Sequence, residues 1–117
     1  MERILVVDDA ELNRALLCDI LNDDYSVETA GDGNEALDKL YGHCSDISAL
    51  LLDLRMPKTD GFAVIKEMKR HAWLKRIPVL VISSEDAVEI ETQCLELGVT
   101  DFIHKPFERH GGRAEGE

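Results

Sequence analysis

The sequence predicts an α/β fold, a parallel sheet with helices on both faces, and two observations carry that expectation. Short apolar runs rich in β-branched residues alternate with stretches of helical periodicity along the chain. The apolar runs also end in polar residues suited to chemistry. In "ILVVDDAELN", Ile4 to Asn13, four apolar residues lead straight into two adjacent carboxylates.

Ile4 to Val7 is apolar throughout and reads as a strand buried on both faces. Leu12, Leu16, Leu17, Ile20 and Leu21 recur at helical spacing. "YSVET", Tyr25 to Thr29, reads as a weaker second strand. "GDGNEALDKLY" supplies a turn and then a short helix, with Ala36, Leu37, Leu40 and Tyr41 on one face. "ALLL", Ala49 to Leu52, is the third strand, with Asp53 directly after it, and "RMPKTDG" is loop chemistry broken by Pro57 and Gly61. A helix is expected from about Gly61 to His71, with Phe62, Ile65 and Met68 inward. Ile77 to Ile82 is the fourth strand, ending at Ser83 and Ser84. Asp86 to Leu97 reads as a helix stopped by Gly98, and Asp101 to His104 as the last strand.

Composition bounds the function. The chain has 117 residues, 44% hydrophobic and 32% charged, which suits one soluble domain with its own core. With 24 acids against 13 bases, the formal charge is −11, so direct nucleic-acid binding is not expected. Nothing in the sequence reads as a membrane span or an export leader, and a cytoplasmic location is expected. Cys18, Cys44 and Cys94 are widely spaced, with no zinc-ligand pattern, which fits a reducing compartment. The domain should cover 1–108. Residues 109–117 carry Gly111, Gly112 and Gly116 without apolar periodicity and read as a linker-like or appended tail.

In an open parallel sheet, ligands bind beyond the carboxyl ends of the strands, where strand order reverses. Asp8 and Asp9 follow the first strand, and Asp53 follows the third. If those strands are neighbours, about 4.8 Å apart, three carboxylates share one crevice. Their repulsion is relieved by a hard divalent cation, and Mg2+ suits such a site because it uses few carboxylates and keeps waters and phosphate oxygens. Ser83 ends the fourth strand and Lys105 follows the fifth. A metal, an ammonium and a hydroxyl around one carboxylate are what a phosphoryl group needs. A "DD" pair alone reads more readily as a helix cap, and Phe102 alone more readily as core.

"VVDD" at 6–9, "LLLDLRMPKTDGF" at 50–62, "PVLVISS" at 78–84 and "DFIHKPF" at 101–107 form an ordered set that resembles the receiver domain of two-component response regulators. The resemblance implies a flavodoxin-like, three-layer, five-stranded sheet in order 2-1-3-4-5. It implies that Asp53 accepts a phosphoryl group from a sensor histidine kinase or histidine phosphotransfer protein, with Lys105 and Ser83 contacting the phosphoryl oxygens. Mg2+ would be held by Asp8, Asp9, Asp53 and the backbone carbonyl of Arg55. Ser83 and Phe102 would form a conformational switch, and Arg55 and Glu85 would flank the phosphoryl group and tune its hydrolysis; their opposite charges, paired across the entrance, are expected to slow it. Such a domain catalyses only its own phosphorylation and dephosphorylation.

The sequence departs from the pattern at Thr59, Phe102 and Ser84, where Met, Tyr and Ala are commoner. The family's final helix also has no counterpart in "ERHGGRAEGE", so an exposed sheet face is expected, either because the polypeptide is shortened from a longer protein or because a neighbour, such as a second copy, covers the face. Two rivals remain: a receiver-fold interaction module indifferent to phosphorylation, and a Mg2+-dependent phosphohydrolase. The intact set of Asp8, Asp9, Asp53, Ser83 and Lys105 argues against the first; the lack of a second acid/base on a lid argues against the other.

Overall fold

The computed structural model describes residues 2–53, 61–72, 76–83 and 88–104. Along the chain run β1 (Arg3–Val7), α1 (Glu11–Leu21), β2 (Ser26–Ala30), α2 (Gly33–His43), β3 (Ile47–Asp53), α3 (Gly61–Arg70), β4 (Val79–Ser83), α4 (Val88–Leu97) and β5 (Asp101–His104), with a 3-10 turn at Cys44–Asp46. The strands form one sheet in the order β2-β1-β3-β4-β5, every pair parallel. Fold class and strand order are those expected.

Period-two alternation sorts each strand between two cores. Leu5, Val7, Leu50, Leu52, Val79, Val81 and Phe102 face one side, where they pack with Ala36 and Leu40 of α2, Val64, Ile65 and Met68 of α3, and Cys94 of α4. Ile4, Val6, Leu51 and Ile82 face the other, against Leu17 of α1. At about 25 cal/mol per Å2 of apolar surface removed from water, this two-sided burial is the main stabilising term.

Local chemistry sets the helix ends. Asp32 Oδ1 accepts the N–H of Glu35 at 2.8 Å, while Glu35 Oε1 accepts that of Gly31 at 2.8 Å, a reciprocal cap opening α2. α4 closes as the glycine predicts. Gly98 has φ 106, its N–H reaches the Leu95 carbonyl at 3.1 Å, and the Val99 N–H reaches the Cys94 carbonyl at 3.2 Å.

Four details differ from the pattern read along the chain. β3 begins at Ile47 rather than Ala49, because Ile47 is buried while polar Ser48 masks the run. β4 begins at Val79 rather than Ile77: Pro78 has no N–H for the ladder, though its carbonyl accepts the Leu50 N–H at 2.9 Å. In α1 only one row of the apolar stripe is covered. Leu17 is buried, whereas Leu12 is 84% exposed and Ile20 46%. Ile103 of β5 is a further exposed apolar residue.

Tyr41 is the fourth. It is exposed rather than buried with Ala36 and Leu40, and its hydroxyl donates to Glu67 Oε2 of α3, with its ring edge-on to His71, centroids 5.3 Å apart. Arg70 Nε donates to Glu67 Oε1 at 3.1 Å. The Arg70 guanidinium, and next the Tyr41 hydroxyl, hold the Glu67 carboxyl down to about 2. The same bond raises the Tyr41 phenol above its usual range.

Candidate acidic site at the carboxyl edge of the sheet

The site follows from register. β1 and β3 are hydrogen-bonded neighbours with Val7 opposite Leu52, so the next residues, Asp8 and Asp53, emerge side by side at the carboxyl edge. This is where strand order reverses, since the chain passes from β1 to β2 on one side and returns to β3 on the other. Asp8 and Asp53 are buried, 2% and 4% exposed, and Asp9 is exposed. Carboxylate oxygens from all three lie within 4.8 Å of one another.

Capping does not explain the doubled acid. Ala10 holds the N-cap position of α1, with extended backbone (φ −91, ψ 117) and no side-chain cap bond. Asp8 is held by its surroundings. Its N–H donates to the Ala30 carbonyl at 3.1 Å, prolonging the β1–β2 pairing. Its Oδ1 accepts the Ala10 N–H at 2.9 Å, and its Oδ2 accepts Nδ2 of Asn13 at 3.2 Å. Arg14 Nη1 donates to the Asp8 backbone carbonyl at 2.6 Å.

Three hard carboxylate oxygens fit Mg2+ in kind. An octahedral ion with oxygens at about 2.0–2.1 Å spaces them about 2.9 to 4.2 Å apart, and three oxygens within 4.8 Å of one another lie near enough for small side-chain adjustments to reach that spacing. Asp9, at the surface, is the acid of the three with the most freedom to adjust.

Of the other expected site residues, Ser83 ends β4, next to Ile82, which pairs with Asp53. Phe102 lies opposite Val81 on β5, and its side chain is buried in the core shared with α3 and α4. Arg55, Glu85 and Lys105 lie outside the described residues, as do the "ERHGGRAEGE" segment and the departures at Thr59 and Ser84. Asn13 and Arg14 are the contacts that sequence reasoning missed. The one available signal was a polar amide of poor helix propensity placed in the first turn of an apolar-striped helix.

The family model for the response regulator receiver domain matches residues 4–114. The two-component response regulator ORR11 of Oryza sativa subsp. indica is 35% identical over 103 residues, 88% of this chain and 70% of that protein. Among solved structures, the chemotaxis protein CheY4 of Vibrio cholerae superposes with a TM-score of 0.84 at 32% identity, covering 92% of this chain and 89% of that one. A chain of the CheX-CheY-BeF3-Mg2+ complex from Borrelia burgdorferi gives 0.85 at 31% identity, covering 92% and 80%.

Proposed function

This chain belongs to the response regulator receiver domain family, and from that premise we propose that it is a phosphoacceptor switch in which Asp53 carries the phosphoryl group. The observation supporting this reading most directly is the meeting of Asp8, Asp9 and Asp53 at the switch point of the sheet, with oxygens within 4.8 Å of one another. The donor is a phosphohistidine on a histidine kinase or phosphotransfer protein. An Asp53 oxygen attacks phosphorus, the P–N bond breaks, and the imidazole leaves with the electron pair. An acyl phosphate remains on Asp53. Asp8, Asp9, Asp53 and the Arg55 carbonyl hold Mg2+, which when bound offsets the charge on the phosphoryl oxygens.

Lys105 pairs with Asp53 and then with the phosphoryl oxygens, and Ser83 donates its hydroxyl to one of them. The phosphoryl group adds one to two negative charges, roughly, which draw Ser83 inward and leave space for an aromatic ring. Phe102, whose side chain is buried at the β5 side of the core, is that ring. Arg55 and Glu85 flank the group and slow attack by water. Arg55→Ala and Glu85→Ala should each shorten the acyl-phosphate half-life, and unchanged half-lives remove that role.

The test is incubation with a small phosphodonor and Mg2+, followed by intact-mass measurement. The chain gains one phosphoryl group, and Asp53→Ala gains none. No gain in the wild-type chain favours an interaction module, and turnover of many equivalents of donor favours a hydrolase.

A further inference from the structure

Asn13 lies in the first turn of α1, and its amide Nδ2 donates to the buried carboxylate of Asp8. We propose that Asn13 is a positioning residue for the metal: its amide fixes the carboxylate plane of Asp8, which makes the site selective for a small cation. The inference rests on the reading that the acid cluster holds Mg2+.

The geometry divides the three acids by mobility. Asp8 is 2% exposed; its Oδ1 accepts the Ala10 N–H at 2.9 Å and its Oδ2 accepts Asn13 Nδ2 at 3.2 Å. Donors on both oxygens stop the group rotating about its last bond. A carboxylate oxygen can accept a donor and ligate a metal at the same time. Asp9 is exposed, so its carboxylate is freer to reorient than that of Asp8. One acid is therefore a fixed reference and another adapts to it.

That division affects the two alkaline-earth cations differently. Mg2+ demands near-ideal octahedral geometry at about 2.0–2.1 Å, whereas Ca2+ accepts irregular geometry at about 2.3–2.6 Å. A loosened Asp8 penalises the strict ion more than the tolerant one. The Ala10 N–H is a backbone donor and survives any change at position 13, so the loss is partial. Removing an outer partner of a metal ligand weakens affinity about 10–100-fold, and the lower end of that range applies.

The experiment compares the wild-type chain with Asn13→Ala and Asn13→Leu, the latter sharing the branching of Asn at Cγ but without the amide. Mg2+ and Ca2+ affinities are measured by calorimetry on metal-free protein, well below the melting temperature of each variant. Both variants should bind Mg2+ about tenfold more weakly and Ca2+ nearly unchanged, narrowing the ratio between the ions. General damage to the fold would weaken both ions together, and that result overturns the proposal. If the wild-type chain binds Mg2+ and the variants match it within about twofold, this inference alone fails. A wild-type chain that takes up no Mg2+ removes the reading beneath it as well.

Discussion

Asp9→Asn tests the acid cluster with little steric change. The oxygens of Asp8, Asp9 and Asp53 lie within 4.8 Å of one another. Two unit charges at that distance repel by about 3.5 kcal/mol at an effective dielectric near 20, and by about 0.9 kcal/mol in bulk water. Asp9 is exposed, so its repulsion with each of the two buried acids falls toward the watery limit, and salt screens it further. Removing the Asp9 charge should stabilise the metal-free fold by about 1–2 kcal/mol, which raises the melting temperature by about 5–10 °C in a domain of this size. Mg2+ should reverse the ranking. At a hundred times its dissociation constant, a ligand adds about 2.7 kcal/mol, and the variant, short of one ligand, gains less than the wild-type chain. Thermal unfolding by circular dichroism in EDTA and in excess Mg2+ reads both effects. A variant that melts no higher than wild type in EDTA would refute the repulsion, and an equal gain from Mg2+ would remove Asp9 from the ligand set.

Glu67, held down to about 2 by Arg70 and Tyr41 against an ordinary 4.5, contributes stability that is present above about pH 4.5 and lost as pH falls toward 2. Glu67→Gln should therefore flatten the acid limb of the stability curve, most visibly at low salt, and parallel acid limbs in urea titrations would contradict this. Gly98→Ala forces a side chain onto φ 106 and should cost about 1–2 kcal/mol; an unchanged urea midpoint would show that the α4 end relaxes. Ile65→Ala empties a fully buried position on α3 and should cost about 2–5 kcal/mol by the same measurement. A smaller loss would mean that the core collapses into the gap.

The sequence alone determined the element order, the parallel sheet, and the placing of Asp8, Asp9 and Asp53 at strand ends. Those features are local. Apolar period marks a strand or a helix over a few residues, and a carboxylate directly after an apolar run must emerge at its carboxyl end. Register then aligned Asp8 with Asp53. The tertiary structure alone decided which way each helix is turned about its axis, and with it which row of a stripe is covered. Leu12 and Ile20 carry the same periodic signal as Leu17, yet only Leu17 is buried. For the same reason Asn13 could be recognised as a partner of Asp8, and Tyr41 as a partner of Glu67, only in the folded chain. A side chain's neighbour across two packed elements depends on rotations and offsets of a few ångströms, set by the sum of all contacts in the core, and no window of the sequence carries that sum.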